Sequence, residues 1–158
     1  MRTKRAKKRQ VKPDPVYNSI NVTKLIHRVM RDGKKSIAQK QVYNAFDLIK
    51  KESKADPMEV FDQALANISP KMEVRSRRVG GAAYQVPTPV KSIRATSLAI
   101  RWLVLESNKR PNSQHHTYAE KLAAELTEAA AGEGGAIQRK VTSHKMADAN
   151  KAFAHFRW

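Results

Sequence analysis

The sequence predicts a mainly α fold, a single six-helix domain with a projecting two-stranded β-ribbon arm and a basic N-terminal extension. Three observations lead there. Apolar residues recur at three- and four-residue spacing in six separate stretches. Between the third and fourth of these stretches, the pair Gly80-Gly81 is flanked by residues that alternate in polarity, the period of a strand. The segment Met1 to Lys12 carries Arg2, Lys4, Arg5, Lys7, Lys8, Arg9 and Lys12 with no acid.

In order, residues 1–12 have almost nothing to bury and read as an arm that orders on nucleic acid. Pro13-Asp14-Pro15 forces an extended turn into the domain, residues 13–158. A first helix, about Ser19 to Asp32, sets Val22, Leu25, Ile26, Val29 and Met30 on one face, with Lys24, His27, Arg28 and Arg31 outside that stripe. Gly33 is placed to cap its C-terminus, and Lys34-Lys35 occupy the turn that follows. Ser36 can start a second helix to about Lys51 with Ala38, Val42, Ala45, Phe46 and Ile49 inside. Asp56-Pro57-Met58-Glu59 is a strong start for the third helix, whose core side is Val60, Phe61, Ala64, Leu65 and Ile68.

The ribbon spans about 71–91. Met72 and Val74 alternate with Glu73 and Arg75 before the glycines, and Tyr84 and Val86 resume the alternation after them. Pro87 and Pro89 keep the second strand out of a wide sheet, so the expectation is an isolated ribbon without a core of its own, stabilised by a partner. A fourth helix, about Ser92 to Asn108, turns Ile93, Thr96, Ser97, Ile100, Leu103 and Val104 inward, with Trp102 as further core. Arg94 and Arg101, seven apart, share another face. A basic turn with Arg110 leads to a fifth helix, about His115 to Ala131, with Ala119, Leu122, Ala123, Leu126, Ala129 and Ala130 inside and Glu120, Glu125 and Glu128 as an acidic side. Gly132 to Gly135 break the chain, Arg139-Lys140 form a second basic patch, and a last helix, about Thr142 to Phe153, points Met146, Ala149 and Phe153 inward.

The formal charge is +17, from 31 Lys and Arg against 14 Asp and Glu. Solubility asks for only about 2–8 charges in a small domain. The excess makes sense against phosphates whose counterions it displaces. No cysteine is present, so disulfides and thiolate metal sites are excluded. No apolar run has the length of a membrane span, and the basic N-terminus lacks the apolar core of a secretory signal. Aromatic residues make up 6%, too few for successive base-stacking platforms.

No catalytic constellation assembles. His115 and His116 are adjacent and would point about 100° apart on a helix. The glycines at 132–135 lack the Lys-Ser/Thr of a phosphate loop. No enzyme, cofactor, metal site or small-molecule substrate is expected. Separated basic patches on one small domain suit a folded RNA recognised largely by shape.

Several segments then resemble the bacterial-type small-subunit ribosomal protein seven family. They are Lys24-Leu25-Ile26 with Gly33-Lys34-Lys35, the run Arg77 to Pro87, Ala99-Ile100-Arg101-Trp102-Leu103, and Met146 to Trp158. They span nearly the whole chain in the family's order. The resemblance implies a structural component of the cytoplasmic small ribosomal subunit. It would be a primary binder of the 3′ major domain of 16S-type rRNA that nucleates head assembly near exit-site tRNA and mRNA. It implies contact with ribosomal proteins nine, eleven and thirteen, and repression of its own message. RNA-contacting residues would be the N-terminal arm, Lys34, Lys35, Arg75, Arg77, Arg78, Arg94 and Arg101, to which the charge pattern adds Arg110, Arg139 and Lys140. The ribbon tip, Val79, Gly80, Gly81, Ala82 and Tyr84, would approach the exit site. Two rivals are an architectural DNA-binding protein with a β-ribbon arm, which would place an apolar wedge at the tip, and an RNA-modifying enzyme.

Overall fold

The computed structural model describes Ala6 and residues 9–157. Arg2, Lys4, Arg5, Lys7 and Lys8 of the arm, and Trp158, lie outside the described residues. The helices are α1 (Ile20–Val29), α2 (Lys35–Ser53), α3 (Pro57–Ile68), α4 (Ser92–Lys109), α5 (Tyr118–Ala131) and α6 (Gly135–Ala149). Strands β1 (Met72–Val79) and β2 (Ala82–Pro89) form an antiparallel ribbon between α3 and α4, and a 3-10 turn covers Lys151–Phe156. The mainly α fold with its ribbon is the one the periodicity predicts.

Helix α5 is the hub, packed against α2, α3, α4 and α6. Its Leu122 and Leu126 are fully buried, with Phe46, Ile49, Phe61, Ile68 and Leu103 around the same core. The Phe46 ring lies 5.6 Å from Phe61 and 5.1 Å from Tyr17, the latter edge-on. Side chains of this kind each contribute about 1.5–3 kcal/mol on burial.

Local chemistry sets the ends. Asp56 accepts from the Met58 N–H at 3.1 Å with Pro57 in the first turn, as the start signal implies. Thr117 and Glu120 form a reciprocal capping box, so α5 begins at Tyr118 rather than His115. Gly132, at φ +89, caps its end. Helix α1 stops at Val29, earlier than the expected Asp32. Gly33 therefore does not cap it, but shapes the turn together with Asp32, at φ +73 and +50. Helix α2 starts at Lys35 without a side-chain cap from Ser36.

Three further expectations are corrected. Ile93 is 82% exposed and Ser97 is exposed, while Ala95, Leu98 and Ala99 take the inward positions of α4. The last helix begins at Gly135, not Thr142, and ends at Ala149, with Met146 and Ala149 exposed and Ala136, Ser143 and Ala147 buried. The ribbon is not isolated. Its β1 packs on α6 and its β2 on the 3-10 turn, Val86 and Pro87 are buried, and Tyr84 lies 5.2 Å from both Phe153 and Phe156. The buried residue of β1 is Glu73, whereas Met72 and Val74 are half-buried.

The pairing Val79↔Ala82 leaves Gly80-Gly81 as a two-residue loop with φ +56 and +91. Two positive φ values are the demand of a type I′ hairpin turn, which glycine meets without strain. The register runs to Met72↔Pro89, and the Val90 N–H donates to the Lys71 carbonyl at 3.0 Å.

Because Leu122 lies at the hub, Leu122→Ala is expected to cost roughly 2–5 kcal/mol of stability through a cavity. Denaturant unfolding followed by circular dichroism reads that loss.

Candidate nucleic-acid interface

The basic residues outside the core stripe of α1 meet those of α4. Between these helices runs a groove of about 400 Å³, lined by Lys24, His27 and Arg28 on one side and Ile93, Ile100 and Arg101 on the other. Arg28 and Arg101 also line an adjoining hollow of about 180 Å³ with Arg31. Beyond Arg31 the turn presents Lys34 and Lys35, both exposed. That turn is tight: the Lys34 N–H donates to Arg31 at 2.9 Å and the Lys35 N–H to Gly33 at 2.8 Å.

Toward the other end, Arg94 stands two turns before Arg101 on α4 and reaches the ribbon. Its Nε donates to both oxygens of Glu73, at 2.9 and 2.7 Å. Arg75 donates to the same carboxylate at 2.7 Å. Glu73 is 7% exposed, while the Arg75 and Arg94 side chains are 54% and 49% exposed. One buried acid thus orients two guanidinium groups and leaves much of each open to an anion. Arg77 follows Arg75 on the same face of β1 by alternation, and Arg78 donates to the Gly81 carbonyl at 3.4 Å, steadying the turn. Cations therefore form one track from Lys34 through Arg31, Arg28, Arg101, Arg94 and Arg75 to the ribbon.

Burial opposes ionisation of Glu73, but hydrogen bonds from Arg94 and Arg75 outweigh it and hold its carboxyl below the usual range. Glu106 behaves alike: burial is outweighed by hydrogen bonds from Lys109 and Arg139. Each carboxylate is therefore charged at neutral pH.

The N-terminal arm leaves the body at a pinned point. Asp14 is buried and accepts from the backbone N–H groups of Val16 and Tyr17, at 3.1 and 3.2 Å, and from the Tyr43 hydroxyl at 2.8 Å. Thr23 donates to the Lys12 carbonyl at 3.0 Å. Arg9 beyond it is exposed.

Other predicted site residues also make contacts within the protein. Arg110 is turned inward, against expectation: it donates to Glu125 at 2.7 and 2.9 Å and to Glu128, including one very short contact between Nη2 and Oε2. Its side chain is 16% exposed. A buried acid draws it away from the surface. Arg139 pairs with Glu106 at 2.8 Å, and Lys140 donates to the Asn67 carbonyl at 2.5 Å. Tyr84 is taken up by its aromatic neighbours, leaving Val79, Gly80, Gly81 and Ala82 at the tip. Lys24, Arg28 and Arg31 join the track without having been singled out as site residues. Their position outside the α1 stripe was the available signal. Among the described residues no group of three or more His, Asp or Glu could hold a metal, and no helix is long and apolar enough to cross a membrane.

The sequence profile of the family described as Ribosomal protein S7p/S5e matches residues 1–151. A protein of Thermotoga neapolitana called small ribosomal subunit protein uS7 is 54% identical over 158 residues, all of both chains. A protein of the same name from Caldanaerobacter subterraneus subsp. tengcongensis is 55% identical over 151 residues, covering 96% of this chain and 95% of the relative.

Because the folded carboxyl of Glu73 titrates below its unfolded value of about 4.3, its stabilisation is complete above that value and is lost as pH falls through the folded one. Glu73→Gln is expected to cost about 1–2 kcal/mol at pH 7, the scale of charge-assisted bonds discounted for the half-exposed arginines. The gap in melting temperature between wild type and variant is expected to close as pH falls below the ordinary carboxylate range.

Proposed function

The chain belongs to the ribosomal protein S7p/S5e family, and from that premise we propose that it binds the 3′ major domain of 16S-type rRNA and nucleates assembly of the small-subunit head. The observation that carries this reading is the run of cations from the Lys34-Lys35 turn, along the α1–α4 groove, to the base of the ribbon. Double-helical RNA presents two rails of phosphate, and a folded RNA presents several at different angles. A track that changes direction from a helical groove to a projecting ribbon fits that target. Exposed Ile93 within the groove gives a ribose or base an apolar surface between the charges.

Lysines 24, 34 and 35 act as compact charges, whereas Arg28, Arg75, Arg77, Arg78, Arg94 and Arg101 can grip phosphate bidentately. Arg9 and the rest of the arm extend the same contact from the point fixed by Asp14. The tip at Gly80-Gly81, with no side chain at its apex, allows close backbone approach to exit-site tRNA and mRNA. Ribosomal proteins nine, eleven and thirteen are the protein neighbours this reading carries, and the ribosome of the cytoplasm is its place.

The DNA-binding alternative is disfavoured by where its prolines lie. A proline wedge between base steps would have to stand at the ribbon tip. Pro87 is buried, and it pairs with Val74 near the ribbon base.

The test is competition for the chain between a transcript of the 3′ major domain and duplex DNA of equal phosphate content, at raised salt. The transcript is expected to win; equal loss of both complexes would defeat the reading. Arg77→Ala combined with Arg78→Ala is expected to weaken transcript binding and to make log K against log salt shallower by about one to two, as one or two phosphate contacts are lost. The melting temperature is expected to fall little, since both side chains are exposed and the Arg78 contact with the turn is a long one.

A further inference from the structure

The groove between α1 and α4 holds a titratable group that the contacts above leave unused. His27 is exposed on its wall, in the last turn of α1. Lys24 stands one turn before it on the helix, Arg28 follows it directly, and Arg31 comes one turn after. Arg101 of α4 lines the groove from the other side, where Ile93 and Ile100 make the wall apolar. Helix α2, which also packs on α1, contributes no residue to that lining. Among the described residues no acid lines the groove or the hollow that adjoins it. Nor does any described acid form an ion pair with His27 or with the cations around it.

The ring therefore faces Lys24, Arg28, Arg31 and Arg101, and its only negative neighbour is the carbonyl end of α1. A phosphate entering the groove reverses the field at the ring. Histidine is the side chain whose charge changes between pH 5 and 8. A ring in this position gains affinity for a proton when an anion arrives beside it. The apolar wall strengthens the effect, because less water is left to screen it. The protonated ring offers two N–H donors and a charge, whereas the neutral ring keeps one nitrogen as an acceptor, which a phosphate oxygen repels.

We propose that a phosphate of the bound RNA docks in this groove on His27, Arg28 and Arg101, and that His27 takes up a proton as it docks. The proton comes from solvent, and no bond to phosphorus is made or broken. The inference rests on the RNA-binding reading above. It adds one pH-dependent contact to a track of permanent charges.

Binding of the 3′ major domain transcript to the full chain at pH 6 and at pH 8, at one salt concentration, tests it. Affinity is expected to be roughly three- to tenfold higher at pH 6, tenfold being the effect of moving the ring's titration by one unit. The slope of log K against log salt is expected to be steeper there by up to about one, for the added phosphate contact. Calorimetry in buffers of different ionisation heat is expected to register uptake of a fraction of one proton between pH 6 and 7. His27→Gln removes the titration and keeps a hydrogen-bonding side chain, so the gain at pH 6 is expected to vanish. Its melting temperature is expected to hold, since His27 is exposed. His27→Arg makes the charge permanent, and its salt slope at pH 8 is expected to match that of wild type at pH 6. Titration of the RNA, or of His115, His116, His144 or His155, persists in His27→Gln. A gain of wild-type size in that variant therefore overturns the proposal. Tight wild-type binding without proton uptake also overturns it, and both results leave RNA binding standing. A wild-type chain that ignores the transcript at either pH overturns the two readings together.

Discussion

A carboxylate sealed inside the body holds three segments together. Glu125 is 1% exposed, and its Oε2 accepts from Arg110 while its Oε1 accepts from the Ala136 N–H at 2.8 Å. The first bond ties down the link after α4. The second supplies the start of α6 with the negative partner that the Gly134 cap cannot offer. A Cβ on Gly134 would lie 3.2 Å from Glu125 and 3.1 Å from Glu128, and one on Gly135 would lie 3.1 Å from Glu106. The absence of side chains there lets the helix come this close to its acids. A buried charge is tolerated only when its partners are all in place, so this contact demands that α4, α5 and α6 assemble together.

The same economy governs the surface. The protein has 14 acidic residues for 31 basic ones, and Glu73, Glu106 and Glu125 are drawn into seams between elements. Glu73 joins β1 to α4, Glu106 joins α4 to α6, and Glu125 joins α5 to its neighbours. The outside is left more cationic than composition suggests. The arginines at these seams are also pre-oriented, so Arg75 and Arg94 lose less freedom on meeting a phosphate than untethered side chains would. Internal cohesion and external charge come from one arrangement.

What could be read from sequence follows the physics of range. The helices with strong periodicity, such as α2 with Ala38, Val42, Ala45, Phe46 and Ile49, emerge with the expected face buried. The hairpin emerges because a Gly-Gly turn and alternation are local signals. The sequence starts helix α6 too late because its buried residues are small, Ala136, Ser143 and Ala147, and because its N-terminal partner is Glu125, remote in sequence. Arg110 looked like surface charge since its acids lie 15 and 18 positions away. The groove between α1 and α4 needed both halves: Lys24 and Arg28 could be set aside from the core stripe, but nothing local says that Ile93 and Arg101 stand opposite. Ile93 matched the helical period yet overhangs the groove at the end of its helix, where packing has stopped.

Two prolines in the ribbon bear on the protein before it meets any partner. Since the Val90 N–H points inward to Lys71, alternation aims the amides of even-numbered β2 residues at β1 and those of odd-numbered ones outward. Pro87 and Pro89 occupy outward positions and have no hydrogen to give. An unpaired strand border invites another chain to add itself, a route to fibrils. Here that border is blunted at two sites without disturbing the ladder within, and the arginines of β1 repel any copy of themselves. The outer border of β2 thus offers a second copy no continuous ladder to extend.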